Sequence, residues 1–99
     1  MPYVIFEVKP EKISKINELL KDDLVSRQSI LTRDSSSLNI DKDVSYLKIE
    51  GSNEGIKKAE ELAKEFEFKK LSKKDAEKID KKIEEQENSA ADGMGMIFG

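Results

Sequence analysis

Residues 46–66, YLKIEGSNEGIKKAEELAKEF, decide the fold. Leu47 and Ile49 alternate with Lys48 and Glu50 at the two-residue period of a strand. Gly51 and Ser52 interrupt the pattern, and Ile56, Ala59, Leu62, Ala63 and Phe66 then recur at helical spacing. Ser52 is placed to cap the helix, its hydroxyl accepting from the amides of the first turn. Glu54 sits where the helix dipole favours an acid, and Glu54 with Lys58 and Glu60 with Lys64 are well-oriented i,i+4 pairs. The stretch is a strand, a tight turn and a helix. It defines a unit of fold and carries no chemistry of its own.

Toward the N-terminus, Tyr3 to Val8 reads as a strand with Val4, Phe6 and Val8 on one face and Tyr3, Ile5 and Glu7 on the other. Both faces carry apolar residues, as a central strand's do. Pro10 suits the first turn of a helix from about residue 10 to about 23, with Ile13, Ile16, Leu19, Leu20 and Leu24 as its apolar stripe. Gln28 to Thr32 forms a second strand around Ile30 and Leu31. The polar connector 33–43 turns the chain back, with Asp34 capping a single helical turn that carries Leu38. Past the central helix, Phe68 and Leu71 mark a short fourth strand at an edge, where Lys69 and Lys70 discourage further pairing.

The order βαββαβ, with short connections, predicts an α+β fold of the ferredoxin-like kind: a four-stranded antiparallel sheet, two helices on one face, strands one and three central. Ser72 and Asp75 form a capping signature that opens an extra helix with a thin stripe of Ala76, Ile79 and Ile83. The expected division is a core over 1–71, an appended amphipathic helix over 72–88 and a flexible apolar tail over 89–99.

Ninety-nine residues support one core. The chain is 39% charged and 36% hydrophobic, yet its apolar residues fall in periodic segments, which argues for folding. Acids outnumber bases by 21 to 18, and the net charge of -3 removes the bulk attraction that drives non-specific nucleic-acid binding. With no cysteine, disulfides, thiolate nucleophiles and thiolate metal sites are excluded; with no histidine, the commonest general base and metal ligand are missing. The inventory therefore predicts no enzyme, no metal and no cofactor. No apolar run approaches a membrane span and the first residues lack a signal-peptide pattern, so no membrane partner and a cytoplasmic location are expected. The Lys and Glu bias, without Cys or Trp, matches thermophile-like composition.

Candidate sites are few. Asp34, Ser35, Ser36, Ser37, Asn39, Asp41 and Asp43 crowd the connector, but calcium-loop spacing is absent, which favours a solvated turn. No spacing singles out two carboxylates for hydrolysis. Lys69, Lys70, Lys73 and Lys74 cluster at the start of the last helix, bordered by Glu67, Asp75 and Glu77. A solvated helix start is favoured over an anion or RNA contact. Gly93 and Gly95 are no nucleotide fingerprint, since no strand precedes them. On the sheet face away from the two core helices, Tyr3, Ile5, Val44 and Tyr46 gather into an apolar patch that must be covered or used. Another subunit, the last helix with the tail, or the bases of single-stranded RNA compete to cover it. Met94, Met96, Ile97 and Phe98 make the tail a docking segment, either onto the chain's own sheet or into a partner.

From Tyr46 to Phe66, where IEGS leads into an amphipathic helix, the chain resembles at fold level the ACT-type and NIL-type regulatory modules. That resemblance implies oligomers that pair through their sheets, with a small ligand at the interface. Lys9-Pro10-Glu11 stands where ACT domains commonly carry a glycine, and no ligand residue is carried over. The whole chain, with its Gly-x-Gly-x-Ile-Phe-Gly ending, resembles a group of small archaeal proteins of uncharacterised function, which implies a native tail. The functional expectation is a non-catalytic binding or assembly module. It would form a homo-oligomer through the open sheet face, with an unknown protein or small-molecule partner. The alternative is an RNA-associated protein using Tyr3, Tyr46 and the Lys69–Lys74 cluster.

Overall fold

Four strands, β1 (Tyr3–Val8), β2 (Ser29–Asp34), β3 (Ser45–Glu50) and β4 (Lys69–Lys70), form one antiparallel sheet in the order β2-β3-β1-β4. The computed structural model describes residues 2–98, with side chains described up to residue 87. The two apolar-on-both-faces strands, β1 and β3, pair along their whole length from Tyr3 with Glu50 to Val8 with Ser45. β2 flanks β3 through an equally unbroken ladder, Ser29 with Glu50 to Asp34 with Ser45. β4 meets β1 only at Phe6 and Glu7.

The alternation read from β1 divides two hydrophobic clusters between the two faces. Val4, Phe6 and Val8 join Leu47, Ile49, Ile16, Leu19, Val25, Ile56, Ala59, Ala63 and Phe68 beneath α1 (Ser14–Leu20), α2 (Asp23–Ser26) and α3 (Asn53–Glu65). Ile5 and Tyr46 join Leu38, Leu71, Ala76, Ile79 and Ile83 on the opposite face, beneath α4 (Lys73–Phe98). The sheet is thus a middle layer.

α3 behaves as its sequence reads. Ser52 has extended backbone and accepts from the Gly55 amide at 3.1 Å, and Ile56, Ala59 and Ala63 are buried while Leu62 and Phe66 pack at the margin. The helix ends where Glu67 adopts a left-handed φ of 63°, letting the Phe68 amide reach back to the Ala63 carbonyl at 2.8 Å. β4 can therefore start within four residues of the helix.

The single first helix expected over residues 10–23 is three pieces. Pro10–Lys12 is a 3-10 turn, α1 follows, and the chain breaks at Lys21 and Asp22. The cause is Asp22, whose carboxylate accepts from the Leu24 and Val25 amides at 3.1 and 3.0 Å and so opens α2 as a fresh N-cap. The break turns Val25 into the core, and Ile13, counted in the expected stripe, is 43% exposed. The connector forms a 3-10 turn at Ser36–Leu38 with Leu38 buried and Asn39 left-handed, but Asp34 does not cap it: its carboxylate accepts from the Ser45 hydroxyl at 3.1 Å. Buried Ser35 organises the loop, donating to the Lys42 carbonyl while its oxygen accepts from the Val44 amide.

The last helix packs on the far face of the sheet. Ala76, Ile79 and Ile83 are 7%, 8% and 3% exposed, and without them Ile5 and Tyr46 would face water. Ser72 accepts from the Asp75 amide at 3.2 Å, as the capping signature implies, and the helix runs on to Phe98, past the boundary expected near residue 88.

Candidate functional site

The patch assigned as an interface lies under α4. Ile5 is fully buried and Tyr46 is 2% exposed, while Tyr3 and Val44 are half-buried at its rim. The structure brings all four together as read, but of the three coverings left open by the sequence it supplies the helix of the chain itself. A binding face that depends on Ile5 and Tyr46 being open is closed here.

Polar contacts add to the apolar packing that holds α4 in place. Lys48 projects from β3 toward the helix and donates to the Asp80 carboxylate, with both side chains less than a fifth exposed, and its ammonium lies 5.0 Å from the centroid of the Tyr3 ring. Arg33 donates from Nε to the Gln86 side chain at 2.9 Å and approaches Glu87 at 3.5 Å; Gln86 donates in turn to the Ser37 carbonyl at 2.8 Å. Across the sheet, Lys42 donates to Glu7 at 3.1 Å beside Tyr46. None of these partners was legible as a functional residue. The one available signal was Lys48, a charged residue on a strand face whose neighbour Tyr46 had to be covered.

These contacts set the titration of the face. For Lys48, burial works against the charge, but the hydrogen bond and the negative charge of Asp80 outweigh it and the group is raised. Lys42 is raised by its hydrogen bond to Glu7 and then by that carboxylate's charge. Tyr46 is raised by burial and then by Glu7, against Lys42; Tyr3 is raised by burial and then by Asp80 and Glu77, against Lys48. All four shifts stabilise the protonated form and move further from neutrality.

Of the lysine cluster, Lys69, Lys70, Lys73 and Lys74 are all exposed, and Lys70 is bound to Glu60 at 2.8 Å. Lys70 also lines two shallow grooves beside β4. One, of about 380 Å³, has Phe6, Ala63 and Phe68 as its floor and Lys57, Glu60, Glu61 and Lys64 on its rim; the other, of about 440 Å³, runs between Tyr3, Leu71 and Ala76. The docking segment Met94, Met96, Ile97 and Phe98 lies outside the residues whose side chains are described. Among the described residues no acidic cluster could hold a metal ion, and no helix is long and apolar enough to cross a membrane.

No family model, curated protein or solved structure matches the chain. The likenesses to ACT-type and NIL-type modules and to small archaeal proteins rest on the residues quoted for them.

Proposed function

We propose that this chain is a non-catalytic binding or assembly module built on a ferredoxin-like core. The carrying observation is how its charged groups are used. Lys48 with Asp80 and Arg33 with Gln86 latch the last helix to the sheet, and Lys42 with Glu7 latches the loop, so these groups serve the fold. The ferredoxin-like reading draws support from the βαββαβ order and the central β1 and β3. Its departures are the broken first helix and the fourth helix on the far face. A small ligand at either groove beside β4 fits the apolar floors and the rims of mixed charge, Lys57, Glu60, Glu61 and Lys64 in one and Lys73 and Glu77 in the other.

The RNA alternative is weaker on these observations, because stacking needs exposed rings and Tyr46 is 2% exposed. Native mass spectrometry of the protein taken from its source cells tests the proposal, since it reports subunit number and retained ligands together. The expected spectrum shows an oligomer, a heterologous complex or a ligand-bearing chain; bare monomer throughout would contradict it. Retention of RNA that collapses with added salt would promote the alternative.

A further inference from the structure

The two edges of the sheet are unlike. β4 is two lysines long and its chain turns away at Leu71, whose amide donates to the Ile5 carbonyl at 3.0 Å. β2 is six residues, SILTRD, with no proline, lysine or bulge and an unbroken ladder to β3. A strand directs the backbone groups of successive residues to opposite sides. The Ser35 amide donates to the Val44 carbonyl of the β3 segment, so Ser29, Leu31 and Arg33 share that side and Ile30, Thr32 and Asp34 face outward. Two outward carbonyls are met by the chain's own side chains: Arg33 donates to Thr32 and Ser37 donates to Asp34. Among the described residues no strand lies beside the outward amides of Ile30 and Thr32. Such an edge is a template for another strand.

The charges around it select the partner. On the face shared with α4, Glu50 stands beside Ser29 at the beginning of β2, in a dent that Lys48 and Glu87 also line, and Arg33 at the end lies 3.5 Å from that same Glu87. A second β2 laid antiparallel brings Arg33 of each copy beside Glu50 of the other, whereas a parallel one in register brings the two Arg33 side chains together. We propose that β2 pairs antiparallel with β2 of a second copy, making one sheet of eight strands across a two-fold axis near Leu31. This rests on the assembly reading above and names its surface. With the axis at Leu31, Ile30 exchanges backbone hydrogen bonds with Thr32 of the second copy, whose carbonyl offers its second lone pair beside the one that Arg33 meets. Arg33 then comes opposite Ser29, beside Glu50, of the second copy.

The experiment uses the full chain. Light scattering at micromolar concentration should give about twice the 11.2 kDa chain mass. Thr32→Pro removes an outward amide that the β3 ladder does not use, so it should return the monomer mass with an unchanged far-ultraviolet spectrum. The chain has no cysteine, so Leu31→Cys is a clean second probe. Facing residues of this non-hydrogen-bonded kind have Cα atoms about 4.5 Å apart, within disulfide range. Mild oxidation should link most of that variant into dimers and leave Glu61→Cys, on the exposed side of α3, unlinked. A monomeric wild type overturns the pairing, and the native mass measurement then judges the module reading separately. A wild-type dimer that survives in folded Thr32→Pro, or whose Leu31→Cys variant does not link, overturns the edge while leaving assembly standing. If Thr32→Pro fails to fold, linkage of Leu31→Cys decides alone.

Discussion

Tyr46 shows how one side chain binds the fold to its titration. Its ring lies in the second apolar cluster while burial and the Glu7 carboxylate hold its hydroxyl protonated above the ordinary value of 10.0. The folded chain therefore holds this proton more tightly than the unfolded chain. The resulting stability is fully present below about pH 10 and is lost as pH rises through the folded value. Lys48 has the same sign, raised from 10.5 through Asp80 against the cost of burial. Urea midpoints should thus be flat from pH 7 to about 9 and fall above 10, more gently in Tyr46→Phe. Equal slopes in the two proteins would show that Tyr46 carries no linkage. A second residue-level expectation concerns Glu67, held at φ 63° in a position that suits glycine. Glu67→Gly should stabilise by roughly 0.5 to 1 kcal/mol, because the strain relieved exceeds the loss of its exposed contact with Lys12. A lower melting temperature in that variant would mean that the contact outweighs the strain.

At the scale of elements, the strands and α3 were legible because their residues repeat at a fixed period and their ends carry caps. The break between α1 and α2 was not. Asp22 reads as an ordinary helical residue until its carboxylate is seen to cap the Leu24 and Val25 amides, and the core residue gained by the break, Val25, falls off the helical stripe. Equally hidden was Gln28, which ties α2 to the turn before α3. Its Nε2 donates to the Leu24 carbonyl at 2.9 Å and its Oε1 accepts from the Ser52 amide at 2.9 Å. The side chain lies so close over Gly51 and Gly55 that a methyl group on either would fall 2.0 to 2.3 Å from it. Gly55→Ala should therefore destabilise the native chain by about 1 kcal/mol, through displacement of Gln28 and loss of a hydrogen bond. The same change should be neutral or stabilising in a Gln28→Ala background, where alanine's helix propensity is left to act. A double-mutant cycle measures this coupling, and additive effects would remove Gln28 from the account.

For the whole molecule, Tyr3, Ile5, Val44 and Tyr46 share one face, and of the three coverings that the sequence left open the last helix lies over them. Three apolar residues in a helix crowded with lysine and acid look too few to make a layer. The reason they suffice is that Lys48 with Asp80, and Arg33 with Gln86, hold the helix over the face while Ile79 and Ile83 fill it. Burial of two isoleucines and their neighbours at roughly 1.5 to 3 kcal/mol per side chain is comparable with the whole stability of a small domain, about 5 to 15 kcal/mol. α4 is then part of what folds, and among the described residues the β2 edge and the grooves beside β4 stay open. Urea unfolding of the chain ended after Leu71, followed by circular dichroism, tests this most directly. We predict that the cooperative transition of the full chain is lost. A cooperative transition retained near the full chain's midpoint would contradict the account and return the Tyr3, Ile5, Val44 and Tyr46 face to use as an interface.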